Sequence, residues 1–177
     1  TGLDSDDGAR VLVTDFAPRF TRFGRGFRPP LLVRRIEPRA GRPRIAIRIR
    51  PRFAWGAEAP SMRSGSNHLR WIGGDEALRI TTDLPVGFIA AETRFVLDRP
   101  ANLILSLDEP LAEAPARVAR EFEEETTAYW LEWCRLLHVP FEWQEAVIRA
   151  AITLKLCAHD DTGGIVAALT TSIPEAP

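Results

Sequence analysis

The sequence has little of several features that assign a protein to a class directly. Its 177 residues include two cysteines and a single lysine, and no apolar run is long enough to span a bilayer. The formal net charge of −1 argues against strong non-specific attraction to nucleic acid or to a membrane surface. Apolar residues still make up 45% of the chain, which is too many for a disordered protein. We therefore expect one folded domain, or one domain and part of a second.

Signals for a metal, a cofactor or a nucleophile are also scarce. Cys134 and Cys157 each lie in an apolar helical pattern, so we expect buried, free thiols. His159-Asp160-Asp161 is a poor metal site, because adjacent positions rarely converge on one ion. Gly24-Arg25-Gly26 lacks the third glycine and the following helix of a phosphate loop. We predict neither a metal nor a cofactor.

The first part of the chain, to about residue 109, alternates apolar and polar residues as β-strands do. In residues 44–50, Ile45, Ile47 and Ile49 are predicted to face inward while the arginines face water. Turn residues separate the strands and no helical crossovers intervene, which predicts antiparallel strands packed as a β-sandwich. The predicted strands are residues 9–17, 31–37, 44–50, 68–73, 77–84, 93–98 and 101–107.

After Pro110 the period changes to that of a helix. Val118, Phe122, Tyr129 and Trp133 recur at helical spacing, and Pro115 suits a first turn. A second helix is predicted over residues 141–158 and is apolar on several faces. Such a helix is buried on more than one side, yet the remaining chain offers too little surface to cover it.

Three features allow a functional and a structural interpretation. The arginines between residues 10 and 52 are typical either of a nucleic-acid face or of the wet side of a sheet. The acidic run at residues 121–125 indicates a solvated helix face more than an acid/base pair. The aromatic cluster Tyr129, Trp130 and Trp133 either stacks on a sugar or packs the helix onto the sheet. In each case the structural interpretation is favoured.

The two ends of the chain predict a piece of a longer protein. Thr1 is not an initiator methionine and lies in what reads as a β-hairpin already under way. At the other end, the apolar helix is followed by a Gly-Gly turn and a polar segment at residues 170–172, two features typical of the entrance to a larger domain. We expect the chemistry to lie downstream of Pro177.

Residues 152–177 read ITLKLCAHDDTGGIVAALTTSIPEAP. A helix ending in Leu-Lys, a Thr-Gly turn, an Ile-Val-Ala-Ala run and a Thr-Thr-Ser-Ile-Pro-Glu loop resemble glycoside hydrolase family 15, the glucoamylase and trehalase-like group. Residues 13–19 (VTDFAPR) resemble a strand of that family's N-terminal sandwich, and residues 141–147 lie where its first barrel helix begins. Leu169 and Asp160-Asp161 depart from the family pattern and leave the substrate class open.

The resemblance implies an incomplete N-terminal β-sandwich at residues 1–109, a helical linker at 110–140 and the start of an (α/α)6 catalytic barrel at 141–177. It also implies hydrolysis of α-glucosidic bonds with inversion, which needs one carboxylic acid and one carboxylate on opposite faces of the sugar. In the family both glutamates lie in the barrel beyond this chain's end. We therefore assign no catalytic residue and expect the chain alone to be inactive.

The resemblance suggests a few further expectations. The implied substrate is an α-glucoside or oligosaccharide, bound through the barrel, in a cytoplasmic enzyme with no nucleic-acid or membrane partner. The helix at 141–158 is expected to be exposed and to allow self-association. The candidate residues for the rim of the substrate site are Thr170, Thr171, Ser172 and Glu175.

Two other classes remain open from the sequence. A free-standing β-sandwich module that binds carbohydrate or a protein would be monodisperse and would melt cooperatively. A nucleic-acid binder using residues 10–52 would show a steep dependence of affinity on salt, and the net charge disfavours it.

Overall fold

The structure is a computed structural model that describes residues 1–159 and 162–167. The chain divides into two compact units, Thr1–Tyr129 and a second that begins at Trp130. The described strands are β1 (Gly2–Asp4), β2 (Arg10–Phe16), β3 (Phe20–Arg22), β4 (Arg25–Phe27), β5 (Leu31–Ala40), β6 (Arg44–Ile45), β7 (Ser61–Ser64), β8 (His68–Gly73), β9 (Glu76–Thr82), β10 (Phe95–Val96) and β11 (Ala101–Ser106). The helices are α1 (Val86–Ala90), α2 (Pro115–Arg135) and α3 (Gln144–Leu156).

One seven-stranded antiparallel sheet forms the centre of the first unit. Its strand order is β1-β2-β5-β11-β9-β8-β7. The remaining strands form two ribbons, β6 with β10 and β3 with β4. The expectation of a mainly β chain with antiparallel strands and C-terminal helices is confirmed. In the described residues, however, the layer opposite the large sheet is a two-stranded ribbon and not a second full sheet.

The large sheet has a packed core on each face. On one face, the ribbon of β6 and β10, the segment after it and α1 cover a core that includes Val11, Ile36, Ile47, Phe53, Leu69, Trp71, Ile80, Ile89 and Leu103. On the other face, Val118 and Ala119 of α2 pack with Val33 of β5 and Ile104 of β11. Alternation along β5 and β11 supplies both faces, because successive side chains of a strand point to opposite sides.

Residues 44–50 follow the predicted burial pattern, but the strand is shorter than predicted. Ile47 is buried while Arg44, Arg48 and Arg50 are exposed, as predicted. Only Arg44 and Ile45 form a strand, paired with Val96 and Phe95. The rest of the segment is extended over the core without a ladder partner among the described residues.

The arginines of the first unit do not all face solvent. Most are exposed, but Arg35 is half-buried and forms ion pairs with Glu37 of its own strand and with Glu123 of α2. The sequence interpretation of a solvated arginine face therefore needs correction at Arg35, whose guanidinium helps attach α2 to the sheet.

In the second unit, α3 is unusual because none of its residues is buried. Trp143, which precedes its first turn, is 79% exposed, and Leu154 is 61% exposed. Cys134 and Cys157 are free thiols, but they are half-buried and not buried as predicted. None of the helices in residues 1–159 and 162–167 has an apolar stretch that could cross a bilayer.

Candidate functional site

The four candidates for the substrate rim, Thr170, Thr171, Ser172 and Glu175, lie outside the described residues. The structure does describe the turn that leads toward them. The backbone N–H of Val166 donates to the carbonyl of Cys157 at 3.0 Å, and that of His159 donates to the carbonyl of Gly164 at 2.8 Å. A bridge between Ala158 and Ile165 closes the same turn. The chain therefore reverses direction directly after α3.

His159 has a structural role in this turn. Its Nδ1 lies 3.0 Å from the Oγ1 of Thr162, and its carbonyl accepts a hydrogen bond from Gly163 at 2.8 Å. Gly163 has a φ of 71°, a left-handed conformation that glycine adopts without strain. The described part of the chain contains no group of three residues suited to hold a metal ion, while Asp160 and Asp161 lie outside it.

Glu121 and Glu123 of the acidic run form ion pairs and not an acid/base pair. Within the acidic run, Arg117 pairs with Glu121 at 2.7 Å, and Glu123 pairs with Arg35. The hydrogen bond from Arg117 lowers the pKa of Glu121. A general acid at neutral pH needs a raised pKa. The described carboxyls with a shifted pKa are all lowered: Asp7, Asp15, Glu92, Asp108 and Glu121.

His68 is also unsuited to act as a general acid near neutral pH. Burial lowers its pKa, and the positive charges of Arg79 and Arg70 lower it further. The imidazole therefore stays neutral at physiological pH. Its ring fills the space beside Gly65, where an added Cβ would lie 2.2 Å from the ring. This packing gives His68 a structural role.

An apolar cleft of about 460 Å³ lies between the large sheet and residues 45–49. Its walls are aliphatic, with Leu3, Val11, Val13, Leu32 and Leu105 among them. Its two charged lining residues already have partners, since Arg34 pairs with Asp15 at 2.6 Å and Arg48 with Glu92 at 3.3 Å. The cleft offers no unpaired polar group to orient a hydroxylated ligand.

A second pocket, of about 710 Å³, opens on the surface between residues 52–58 and residues 73–76; we call it the Trp55 pocket. Residues 53–58 form a closed loop, because Phe53 and Glu58 exchange backbone hydrogen bonds of 3.0 and 3.1 Å. Phe53 is buried in the core beside Gly73, where a Cβ would meet its ring at 2.7 Å. The close packing of the Phe53 ring against Gly73 therefore holds residues 52–58 beside residues 73–76.

The loop holds Trp55 outward. Its side chain is 89% exposed, although it is one of the largest apolar side chains. Ala54 and Trp55 both have left-handed backbones, with φ of 48° and 57°, and Gly56 follows with φ of 100°. Four charged residues line the same pocket: Arg52, Glu58, Asp75 and Glu76. Sequence reasoning did not single out Trp55, and the only local signal is the glycine that follows it.

The three aromatic residues of the cluster on α2 make two different sets of contacts. The Tyr129 hydroxyl accepts a hydrogen bond from Arg19 Nε at 3.4 Å, and the guanidinium also lies 5.8 Å from the ring centre. Tyr129 therefore packs α2 against the segment after β2, as the structural interpretation expected. Trp130 and Trp133 contact each other edge to face, with ring centres 5.6 Å apart, and both are half-buried.

Comparison with known proteins finds relatives of one kind. A trehalase of Mycolicibacterium smegmatis is 31% identical over 105 residues, which are 56% of this chain and 16% of that protein. A trehalase of Mycobacterium tuberculosis is 31% identical over 105 residues, 56% of this chain and 15% of that protein. A trehalase of Thermoplasma volcanium is 25% identical over 142 residues, 75% of this chain and 22% of that protein.

The chain is similar to trehalases. Trehalases are glycoside hydrolases, and the similarity extends over more than half of the chain. The matched part spans less than a quarter of the length of these trehalases. No family model matches the chain, and no solved structure matches it.

Proposed function

We propose that this chain is the N-terminal portion of an inverting α-glucoside hydrolase of glycoside hydrolase family 15, of the glucoamylase and trehalase-like kind. The observation that carries the proposal is the partial similarity to trehalases from three organisms. It agrees with the resemblance of residues 152–177 to the family's helix, turn and Thr-Thr-Ser-Ile-Pro-Glu loop. We also propose that the enzyme acts in the cytoplasm.

The proposed division of the chain follows its change of period. Residues 1–109 form part of a β-sandwich, residues 110–140 a helical linker, and residues 141–177 the start of an (α/α)6 barrel. The uncovered apolar side chains of α3 support this division, because a helix of that composition is stable when neighbouring helices cover it. In an (α/α)6 barrel those neighbours are the other barrel helices.

The proposed chemistry depends on residues outside this chain. Inversion requires an acid that protonates the leaving oxygen and a base that activates water, with the two carboxyl groups roughly 6.5 to 9.5 Å apart. The lowered carboxyl pKa values of the first unit support placing both groups elsewhere. In this proposal the chain contributes Thr170, Thr171, Ser172 and Glu175 to the rim of the sugar site and is inactive alone.

The test compares two lengths of the same protein. The 177-residue chain and the chain continued along its genomic reading frame are each incubated with trehalose and with maltotriose. The proposal expects glucose from the longer protein only. Glucose release by the 177-residue chain refutes the inactive fragment, and its absence from both proteins refutes the hydrolase.

A free-standing carbohydrate-binding module is the second candidate, and the exposed indole of the Trp55 pocket favours it. The two candidates differ in what α3 does. A free-standing module is monodisperse in solution, whereas the hydrolase fragment exposes an apolar helix and associates or binds apolar dyes. Size-exclusion chromatography of the 177-residue chain separates them.

A further inference from the structure

We propose that the Trp55 pocket binds one glucose unit of an α-linked oligosaccharide, outside the catalytic site. The sugar class rests on the proposed function, whereas the site itself rests on the geometry of residues 52–58 and 73–76. An aromatic platform with a few convergent polar groups is what a hydroxylated ring requires, since its apolar face covers the indole and its hydroxyls meet the polar groups.

The backbone holds Trp55 outward at a cost in conformational free energy. Two consecutive residues other than glycine, Ala54 and Trp55, have left-handed backbones, each of which costs about 1–2 kcal/mol. Such conformations persist only where the surroundings determine them, and they concentrate at binding sites. Here the paired backbone hydrogen bonds of Phe53 and Glu58 and the buried Phe53 ring hold the loop. The backbone that carries the indole is thus held in advance, which lowers the entropic cost of ordering this loop on binding.

The charged residues that line the Trp55 pocket are available to a ligand. Arg52, Glu58, Asp75 and Glu76 make no ion pair or side-chain hydrogen bond within the described residues. Elsewhere in the same unit, Arg34 and Arg70 form two-pronged pairs with Asp15 and Asp108. The pocket therefore presents both hydrogen-bond donors and acceptors that are available to a ligand.

The charges also narrow the ligand class. Three carboxylates and one guanidinium give the pocket a net negative charge, which repels phosphates and nucleic acid. Sugar hydroxyls both donate and accept hydrogen bonds and carry no charge. Glu58, Asp75 and Glu76 accept from them, and Arg52 donates to them. A neutral oligosaccharide fits these groups better than any anion.

Phe23 provides a matched control for Trp55. It is 96% exposed and has a left-handed backbone with φ of 52°, followed by Gly24 with φ of 73°. It lies at the tip of the β3–β4 ribbon and does not line either pocket described above. Replacing either residue by glycine removes an exposed aromatic ring and keeps a backbone that glycine adopts freely.

The experiment titrates maltotriose into the 177-residue chain and follows the indole N–H signals by NMR. We expect saturable shifts of the Trp55 signal, loss of binding by roughly tenfold or more in Trp55→Gly, and unchanged binding in Phe23→Gly. A double variant, Asp75→Asn with Glu76→Gln, is expected to weaken binding while leaving the melting temperature unchanged. The site is refuted if maltotriose causes no saturable shift, or if Trp55→Gly binds as the unaltered chain does.

Failure of this site and failure of the proposed function give different results. If the longer protein releases glucose while Trp55→Gly leaves maltotriose binding by the 177-residue chain unchanged, the hydrolase stands and the site is wrong. If the Trp55 signal shifts but the longer protein releases no glucose, the site stands and the hydrolase is wrong.

Discussion

Arg19 and Thr126, 107 positions apart, are joined by a hydrogen bond in which the Arg19 backbone N–H donates to the Thr126 Oγ1 at 3.2 Å. Thr126 is buried on α2. This contact attaches the helix to the chain segment between β2 and β3. Thr126→Val keeps the shape and removes the acceptor, so we expect unfolding in urea to show a loss of about 1 kcal/mol.

Two control variants make this prediction specific. Thr126→Ser retains the hydroxyl and is expected to retain most of the stability. Thr127→Val changes the neighbouring exposed position and is expected to be neutral within about 0.5 kcal/mol. Equal stabilities of Thr126→Val and Thr127→Val would show that the hydrogen bond does not stabilise the fold.

Replacement of a glycine by alanine is expected to lower stability at one position and to raise it at another. At Gly73 a Cβ would lie 2.7 Å from the buried Phe53 ring, so Gly73→Ala forces that ring to move and costs about 1–3 kcal/mol. At Gly87, within α1, a Cβ meets nothing within 4 Å, so Gly87→Ala gains about 0.5 kcal/mol from helix propensity. Thermal melts of both variants measure this. A Gly73→Ala variant as stable as Gly87→Ala would contradict the close packing of Gly73 against the Phe53 ring.

Acid is expected to destabilise the first unit through its ion pairs. Hydrogen bonds from arginines hold the pKa of each of these carboxyls below its ordinary value: Asp15, Glu92 and Asp108. A lowered folded-state pKa contributes stability that is complete above the unfolded pKa of about 4 and is lost as the pH falls through the folded value. Melting temperatures are therefore expected to be constant from pH 7 to about 5 and to fall below pH 4.

Asp108→Asn isolates one of these pairs. Asp108 has a φ of 56°, a region that asparagine tolerates, so the backbone is preserved. The variant is expected to lose part of the acid dependence, and 0.5 M salt is expected to reduce the difference because the pair is partly exposed. Asp98→Asn, which changes an exposed aspartate without an ion pair among the described residues, serves as the control. An unchanged pH profile in Asp108→Asn would rule out this contribution.

Self-association through α3 is expected for the 177-residue chain. Leu154 is 61% exposed and lies one and two turns from Ala150 and Ala146, which are also exposed. Leu154→Glu places a charge on this apolar row and is expected to shift the chain toward monomer in analytical ultracentrifugation. Gln144→Glu adds the same charge in the first helical turn and is expected to leave the distribution unchanged. A monomeric unaltered chain would contradict the prediction.

Local patterns were sufficient to predict the longer strands and the two long helices of this chain, but not β3, β4, β7 or α1. Alternation predicted β2, β5, β8, β9 and β11, and Pro115 marked the start of α2. The pairing of Arg44 and Ile45 with residues 95–96 could not be read from residues 44–50, because the partner is about 50 positions away. For the same reason the sequence did not reveal the ion pair between Arg35 and Glu123, 88 positions apart.

The Trp55 pocket shows why candidate sites were harder to predict than strands. In the run Arg52–Gly56, either Phe53 or Trp55 could have entered the core on sequence alone. Phe53 is buried because Gly73, on a different hairpin, leaves room for its ring. Burial of Phe53 leaves Trp55 facing solvent. It depends on a contact between two residues that are 20 positions apart in the sequence. The rim residues proposed from the family resemblance, by contrast, came from a motif and not from packing.

The most direct test of the whole account is an NMR measurement of the sugar released from maltotriose by the chain continued along its reading frame. Inversion at an α-glucosidic bond yields β-glucose as the first product, which slowly mutarotates. We predict β-glucose from the longer protein and no glucose from the 177-residue chain. Release of α-glucose first from maltotriose, release of glucose by the 177-residue chain, or no release by either protein from both maltotriose and trehalose would contradict the account.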